Sequence, residues 1–139
     1  MRDYKQFLKA QERDYESARK EILNGKKLGH WIWYIYPQLR GLGESPNSNA
    51  KYGIIDLEDA RHYFENKVLK ERLLEMTDIL VKSKVENIHE IFDRDTKKVR
   101  SCMTLFYLAT REEIFKKVLD KYYKGELDTL TIELLKGAK

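Results

Sequence analysis

Apolar residues recur at three- and four-residue steps along most of this sequence, in segments separated by residues that begin or end helices. No alternation typical of strands recurs, so the pattern predicts an all-α fold. We expect a single domain over residues 1–139, with about six to eight helices and one irregular Gly/Pro/Ser-rich loop at about 37–51. The predicted helices are 3–24, about 56–66, 67–83, 87–92, 96–109, about 110–124 and 128–137.

Several helix starts carry recognisable caps. Asp3 is a candidate N-cap for the first helix. Asp56 with Asp59 three residues later resembles a capping box, and so does Thr110 with Glu113. These pairs set the expected boundaries of the second half of the chain.

The composition restricts the class of protein. At 139 residues the chain can bury a core without disulfide bonds or a structural metal. No apolar run approaches the ~18 residues of a membrane span. Cys102 is alone, which excludes an internal disulfide and a cysteine zinc site. The three histidines lack metal-ligand spacing, so we predict neither a metal nor another cofactor. The chain begins without an apolar leader, which favours a cytoplasmic protein.

The stretch 29–46, GHWIWYIYPQLRGLGESP, is the compositional exception. It holds both tryptophans, both prolines and three of the seven glycines. Residues 28–36 fit a buried strand and a short buried helix equally well. Pro37 disfavours helix at Tyr36, so regular structure is expected to end there.

The net charge of +4 lies entirely in the first part of the chain. Residues 1–55 carry 10 Lys/Arg and 6 Asp/Glu, whereas residues 56–139 carry 17 of each. Nucleic-acid-binding proteins usually have a longer basic stripe, so nucleic acid is not the expected partner. Between Lys26 and Leu42 the chain carries Lys26, Lys27 and Arg40 and no acidic residue. Such a short cluster favours a small anion, although solvated lysines are an equally common explanation.

His30 is the best candidate for a catalytic residue. It stands at the head of the aromatic run, where a histidine could act as general acid or base near neutral pH. The alternative is an ordinary histidine that donates to a backbone carbonyl. Among the aromatic residues, Trp33 with Tyr36 are the best candidates to line a ligand pocket, and the others are expected in the core.

The loop after the aromatic run offers groups that suit an anion. Gln38, Arg40, Gly41, Gly43 and Ser45 are the candidate ligand-binding residues. Glycines let backbone N–H groups approach an anion, and arginine can grip phosphate or carboxylate through two bonds. The spacing matches no nucleotide-binding fingerprint, and a structural tight turn is the alternative.

A polar interruption at 100–104 could complete such a pocket. Ser101 and Thr104 are three residues apart and would share a helix face with Lys97 or Arg100. Arg100, Ser101 and Thr104 would bind a ligand if that face met the 38–45 loop. The two hydroxyls could instead bond only to helix carbonyls. Cys102 lacks a partner that would activate it, so we do not expect it to be a nucleophile.

The string HWxW followed by PQLRGLG resembles a bacterial family of domains of unknown function, numbered 1810 and sometimes mislabelled calpastatin. The resemblance covers about residues 7–135 and rests on residues 10–11, 30–33, 37–43, 45, 52–54, 69–73, 91–92, 98–106 and 128–130. It implies a mainly helical fold, which favours helix for 28–36, and it transfers no catalytic residue. The calpastatin label implies protease inhibition, but that inhibitor is a long disordered protein. Cys102 replaces a serine that is usual in the family, so the resemblance carries no hydroxyl role to that position.

Two functional hypotheses follow. The first is a site at 29–45 for a small phosphate- or nucleotide-like anion; if it is catalytic, hydrolysis or group transfer would use His30 as proton carrier and Arg40 as anion holder. The second is a non-catalytic protein-interaction module or homodimer that uses the aromatic segment. The residues leave open whether the chain is an enzyme. Burial of the aromatic side chains beside a concave polar pocket would favour the first hypothesis.

Overall fold

The computed structural model describes residues 2–137, and within them the fold is all-α, as predicted. Seven of the helices have at least seven residues, and two are short. The helices are α1 Lys5–Leu23, α2 Ile32–Ile35, α3 Pro46–Tyr52, α4 Leu57–Glu65, α5 Lys67–Lys82, α6 Ile88–Phe92, α7 Thr96–Thr110, α8 Glu113–Tyr122 and α9 Thr129–Gly137, with a 3₁₀ turn at Asp93–Asp95.

Of the predicted helix caps, the one at Asp56 is confirmed, and those at Asp3 and Thr110 are not. Asp56 accepts a hydrogen bond from the Asp59 backbone N–H at 2.8 Å and caps α4 as expected. The cap position of α1 is Tyr4 rather than Asp3, whose carboxylate accepts from the Lys5 N–H. The predicted cap at Thr110 is wrong, because this residue ends α7 and its hydroxyl donates to the Phe106 carbonyl.

The predicted irregular loop at about 37–51 contains a helix, so that expectation needs correction. Ser45 caps α3 by accepting from the Ser48 N–H at 3.2 Å, and Pro46 occupies the first helical turn. Serine followed by proline is a favourable helix start. The short helix that follows contains few apolar residues, so periodicity gives no signal for it.

The core is built around α7, which packs against α4 and α8. Phe106 of α7 contacts Tyr63 and Phe115, with ring centroids 5.4 and 5.9 Å apart. The two longest helices, α1 and α5, pack against each other, and α5 also packs against α4 and α8. No helix within residues 2–137 is both long and apolar enough to cross a membrane.

The 29–46 stretch runs through the core and returns to the surface. Residues 32–35 form the short helix α2, which supports the helical interpretation of this segment, and regular structure ends before Pro37 as expected. Tyr36 is fully buried and donates from its hydroxyl to the Met76 carbonyl at 2.8 Å. Beyond it, Leu39 forms an isolated parallel bridge with Ile54, which closes the chain on either side of α3.

Candidate functional site

A cleft of about 620 Å³ opens at the head of the aromatic run. We call it the His30 cleft. Three parts of the chain form it: residues 27–33, the start of α3, and the turn between α6 and α7. Its lining residues are Lys27, Leu28, Gly29, His30, Ile32, Trp33, Ser45, Ser48, Phe92, Asp93, Arg94, Asp95 and Lys98.

Glu21 of α1 holds the 28–31 segment in place. Its Oε1 atom accepts from the backbone N–H groups of Leu28 and Gly29 at 2.7 and 2.8 Å, and from Trp31 Nε1 at 2.9 Å. Burial acts to raise the pKa of Glu21, but these three donors and the nearby Lys27 outweigh it and hold that pKa below its ordinary value. Sequence reasoning missed this residue, because a glutamate near the end of an amphipathic helix usually faces solvent.

On the opposite side of the cleft, Asp95 binds two lysine side chains. Its carboxylate forms ion pairs with Lys27 at 2.8 Å and Lys98 at 3.2 Å. Partial burial acts to raise the pKa of Asp95, but the two ammonium groups hold it below its ordinary value. Lys27 also donates to the Gly29 carbonyl at 2.6 Å, so it links the two sides of the cleft.

His30 and Arg94 are basic side chains of the cleft without an internal partner, and the Asp93 carboxylate and the Ser48 hydroxyl of its lining have none within residues 2–137 either. The two basic side chains are exposed, and within residues 2–137 neither forms a hydrogen bond or an ion pair. No neighbouring carboxylate or carbonyl orients the imidazole ring of His30. A ligand in the cleft can therefore meet both groups without displacing an internal partner.

Gly43 lies against Trp33, which lines this cleft, and against Gln38, but neither Gly43 nor Gln38 is a lining residue. A Cβ atom on Gly43 would lie 3.2 Å from the Trp33 ring and 3.3 Å from Gln38 Nε2, so a larger residue would press on both side chains. The backbone angle of Gly43, φ +76°, favours glycine as well. Gln38 is 2% exposed, and its Nε2 has no hydrogen-bond partner within residues 2–137. A buried donor without a partner is costly, which makes this amide notable.

Two other predicted ligand-binding residues have structural partners instead. Arg40 donates from Nε to the Asn49 carbonyl and from Nη2 to the Ala50 carbonyl, both at 3.2 Å, and so binds the end of α3. The Gly41 N–H donates to Asn49 Oδ1 at 3.0 Å, with Gly41 at φ +101°. Neither residue lines the cleft, whereas Ser45 lines it while capping α3.

The face formed by Arg100, Ser101 and Thr104 meets a different part of the chain. Arg100 donates to the Leu127 carbonyl at 3.1 Å. Ser101 donates to Asp128 at 3.1 Å, and Thr104 accepts from the Asp128 N–H at 2.9 Å. The structure therefore joins this face to the turn before α9 and not to the 38–45 loop, and none of the three residues lines the His30 cleft.

The remaining reactive groups are placed away from the cleft. Cys102 is fully buried in α7, and burial raises the pKa of its thiol. Across residues 2–137, no group of three or more His, Cys, Asp and Glu side chains is arranged to hold a metal ion.

Comparisons with known proteins agree with the fold. The crystal structure of the conserved hypothetical protein Rv1873 from Mycobacterium tuberculosis is similar, with a TM-score of 0.90, 42% sequence identity and coverage of 95% of each chain. Comparison with curated proteins gives no significant match. A family model described as a protein of unknown function, DUF1810, matches residues 1–135. The resemblance seen in the sequence is confirmed, and this chain belongs to the DUF1810 family.

Proposed function

We propose that the His30 cleft binds a small anionic ligand of phosphate- or nucleotide-like character. The observation that carries the proposal is the presence of two unengaged basic side chains, His30 and Arg94, in one concave space of about 620 Å³. Ligand sites of known proteins have volumes of roughly 300–1,000 Å³ and place a few polar groups in such a space.

The charges of the lining residues favour an anion. Lys27, Arg94 and Lys98 face Asp93 and Asp95, which leaves one positive charge before any protonation of His30. Asp95 engages both lysines, whereas Arg94 is a cation of the cleft with no ion-pair partner within residues 2–137. Its planar guanidinium can grip a phosphate or carboxylate through two bonds. In this proposal Arg94 replaces Arg40 as the anion holder.

The neighbouring aromatic side chain supports a ligand that carries a flat ring. Trp33 is only partly buried, and it lines the cleft beside Ser45. Exposed indole surface of this kind can stack on a base or a similar ring.

Catalysis is an extension of this proposal. If the ligand undergoes hydrolysis or group transfer, His30 would carry the proton and Arg94 would hold the anion. The predicted cytoplasmic location fits a ligand of this class.

The interaction-module alternative has less support. Trp31 and Tyr36 are 2% and 0% exposed, and Tyr34 is buried, so the aromatic segment offers no broad surface for a protein partner. Light scattering would test the homodimer directly. The burial of these side chains beside a concave polar cleft favours the ligand-binding hypothesis.

Titration calorimetry with a panel of nucleotides, ADP-ribose and sugar phosphates tests the proposal. We expect at least one compound to bind, and we expect Arg94→Ala to weaken its binding about tenfold, the loss of one bidentate charged contact. His30→Ala should weaken it as well. Lys117→Ala is the matched control, since Lys117 is an exposed cation of α8 outside the cleft. Absence of binding by every compound, or equal binding by Arg94→Ala and Lys117→Ala, would contradict the proposal.

A further inference from the structure

A second concave region lies between α1 and α3 and shares no lining residue with the His30 cleft. It has a volume of about 510 Å³, and we call it the α1–α3 groove. Every charged residue that lines it is a cation. These cations are Lys5, Lys9, Arg13 and Lys51, and the other lining residues are Gln6, Ala10 and Tyr52.

The spacing along α1 places three of these cations in one row. Lys5, Lys9 and Arg13 are four residues apart, so they share a helix face. At a rise of about 1.5 Å per residue the row is about 12 Å long. Lys51 faces it from α3.

Most of these cations have no counter-charge. Within residues 2–137, Lys5, Lys9 and Lys51 form no ion pair, whereas Arg13 pairs with Asp14 at 2.8 Å. The Asp3 carboxylate is close to the start of the row, where it accepts from the Lys5 backbone N–H at 3.2 Å. Three ammonium groups thus line one concavity with no carboxylate of residues 2–137 among its lining residues, and their mutual repulsion would be relieved by a bound anion.

The end of α3 does not oppose an anion here. The last carbonyls of a helix carry partial negative charge, but these carbonyls already have donors. Lys51 O accepts from Gln6 Nε2 at 3.3 Å, and Arg40 donates to Asn49 O and Ala50 O. The Lys51 ammonium lies 5.4 Å from the centroid of the Tyr52 ring, which supports it at the groove.

We propose that the α1–α3 groove binds a short linear anion with several phosphate groups. The row of cations ends after Arg13, because the next position on the same face is Ser17 and Glu16 is adjacent. A row of about 12 Å suits two or three linked phosphates, whereas strands of nucleic acid are bound along longer basic surfaces with exposed aromatic rings. Tyr52, the aromatic residue of the groove, is buried.

Inorganic tripolyphosphate is the probe for this proposal. We expect it to bind the wild-type chain, and we expect the triple variant Lys5→Gln, Lys9→Gln, Lys51→Gln to bind at least about tenfold more weakly, since three charge contacts are lost together. The matched control changes three exposed lysines elsewhere, Lys20→Gln, Lys117→Gln, Lys136→Gln, and alters the net charge equally. The control should change the Kd less than about twofold. Circular dichroism confirms that both variants are folded, and the single variant Lys9→Gln provides the test if the triple variant is not.

Three results would overturn the proposal. The first is absence of tripolyphosphate binding, or equal weakening in the two triple variants. The second is loss of tripolyphosphate binding in Arg94→Ala, which would assign this anion to the His30 cleft. The third is a single-stranded oligonucleotide that binds more tightly than tripolyphosphate and depends on the same three lysines. Binding that survives Arg94→Ala supports the groove whether or not the His30 cleft has a ligand.

Discussion

At the scale of single residues, the carboxylate of Glu21 shapes one side of the His30 cleft through one oxygen atom. Three N–H donors converge on that atom, and two of them belong to the backbone of Leu28 and Gly29. Hydrogen bonds to a charged acceptor each contribute roughly 1.5–3 kcal/mol, more than bonds between neutral groups. The conformation of the segment that presents His30 therefore depends on a residue of α1.

Replacing this carboxylate should lower stability in a pH-dependent way. We expect Glu21→Ala to lower the free energy of unfolding by about 2 kcal/mol, less than three separate bonds would suggest, because the freed N–H groups near the surface can bond to water. Glu21→Gln should lower it by about 1 kcal/mol, because the amide oxygen can still accept. The folded-state pKa of Glu21 lies below its ordinary value of 4.5. Its charge therefore contributes stability that is present above about pH 4.5 and is lost as the pH falls through the lowered folded-state pKa. Urea denaturation of wild type and Glu21→Gln at about pH 7 and pH 3 should give a difference that shrinks in acid.

Glu16→Ala serves as the control for this experiment, because Glu16 is exposed on the same helix. Its effect should stay within about 0.5 kcal/mol and should not depend on the Glu21 bonds. A Glu21→Ala variant as stable as the Glu16→Ala variant would contradict the anchoring role. So would a Glu21→Gln difference that grows on acidification.

The candidate site was partly predictable at this scale. His30, Trp33 and Ser45 line the cleft, and residue type together with local clustering in the sequence predicts each of them as a site residue. The roles of Arg40 and Arg100 could not be predicted, because their guanidinium groups donate to backbone carbonyls that are distant in sequence or contributed by a turn. Residue type indicates what a side chain can bind, but long-range folding decides whether those donors are already used.

At the scale of elements, α3 is held by the chain on both of its sides. The bridge between Leu39 and Ile54 consists of Arg40 N donating to Ile54 O at 2.7 Å and Ile54 N donating to Gln38 O at 3.0 Å. Gly53 stands between the helix and this bridge. A Cβ atom there would lie 2.5 Å from the Asn49 carbonyl oxygen and 2.7 Å from Arg40 Cβ.

Gly53→Ala should therefore destabilise the fold. The atoms that it would contact belong largely to the backbone and cannot rotate away, so we expect a loss of about 3 kcal/mol, at the upper end of overpacking costs. Thermal denaturation followed by circular dichroism gives the measurement. Gly137→Ala is the control, because no atom that the structure describes beyond its chain neighbours lies within 4 Å of a Cβ at that position, and it should change stability by less than about 0.5 kcal/mol. Equal melting temperatures for the two variants would rule out the steric argument.

The helix α3 also shows why apolar periodicity does not predict every helix of this chain. Long amphipathic segments such as α5 and α7 follow from periodicity, because each buries one face against the core. The helix α3 buries only Tyr52, so its apolar pattern carries no signal. Its cap at Ser45 and the bonds of Arg40 to its last carbonyls stabilise it instead, and these depend on the surrounding chain.

At the scale of the whole molecule, α7 joins the parts of the core. It packs against α4 and α8, and its polar face binds the turn before α9 through Ser101 and Thr104. Periodicity predicts that such a helix exists, but it does not indicate which neighbours each face meets. The side chain of Cys102 lies at the centre of this arrangement and is fully buried.

Cys102 should therefore report global unfolding. Burial excludes reagents from the sulfur and raises the pKa of the thiol, so the native protein contains almost no reactive thiolate. If exposure requires opening of the whole core, a stability of at least about 5 kcal/mol would slow labelling more than a thousandfold relative to the unfolded chain. The rate of labelling by a thiol reagent in increasing urea, followed by mass spectrometry, measures this protection.

The denaturant dependence distinguishes global from local opening. In global opening, the free energy derived from labelling falls with urea at the slope of the equilibrium unfolding curve. Gly53→Ala should then accelerate labelling by the factor that its loss of stability implies, although Gly53 lies outside α7. A shallow slope, or labelling that Gly53→Ala leaves unchanged, would instead mean that α7 opens separately from α3, and that the chain does not unfold as one cooperative unit.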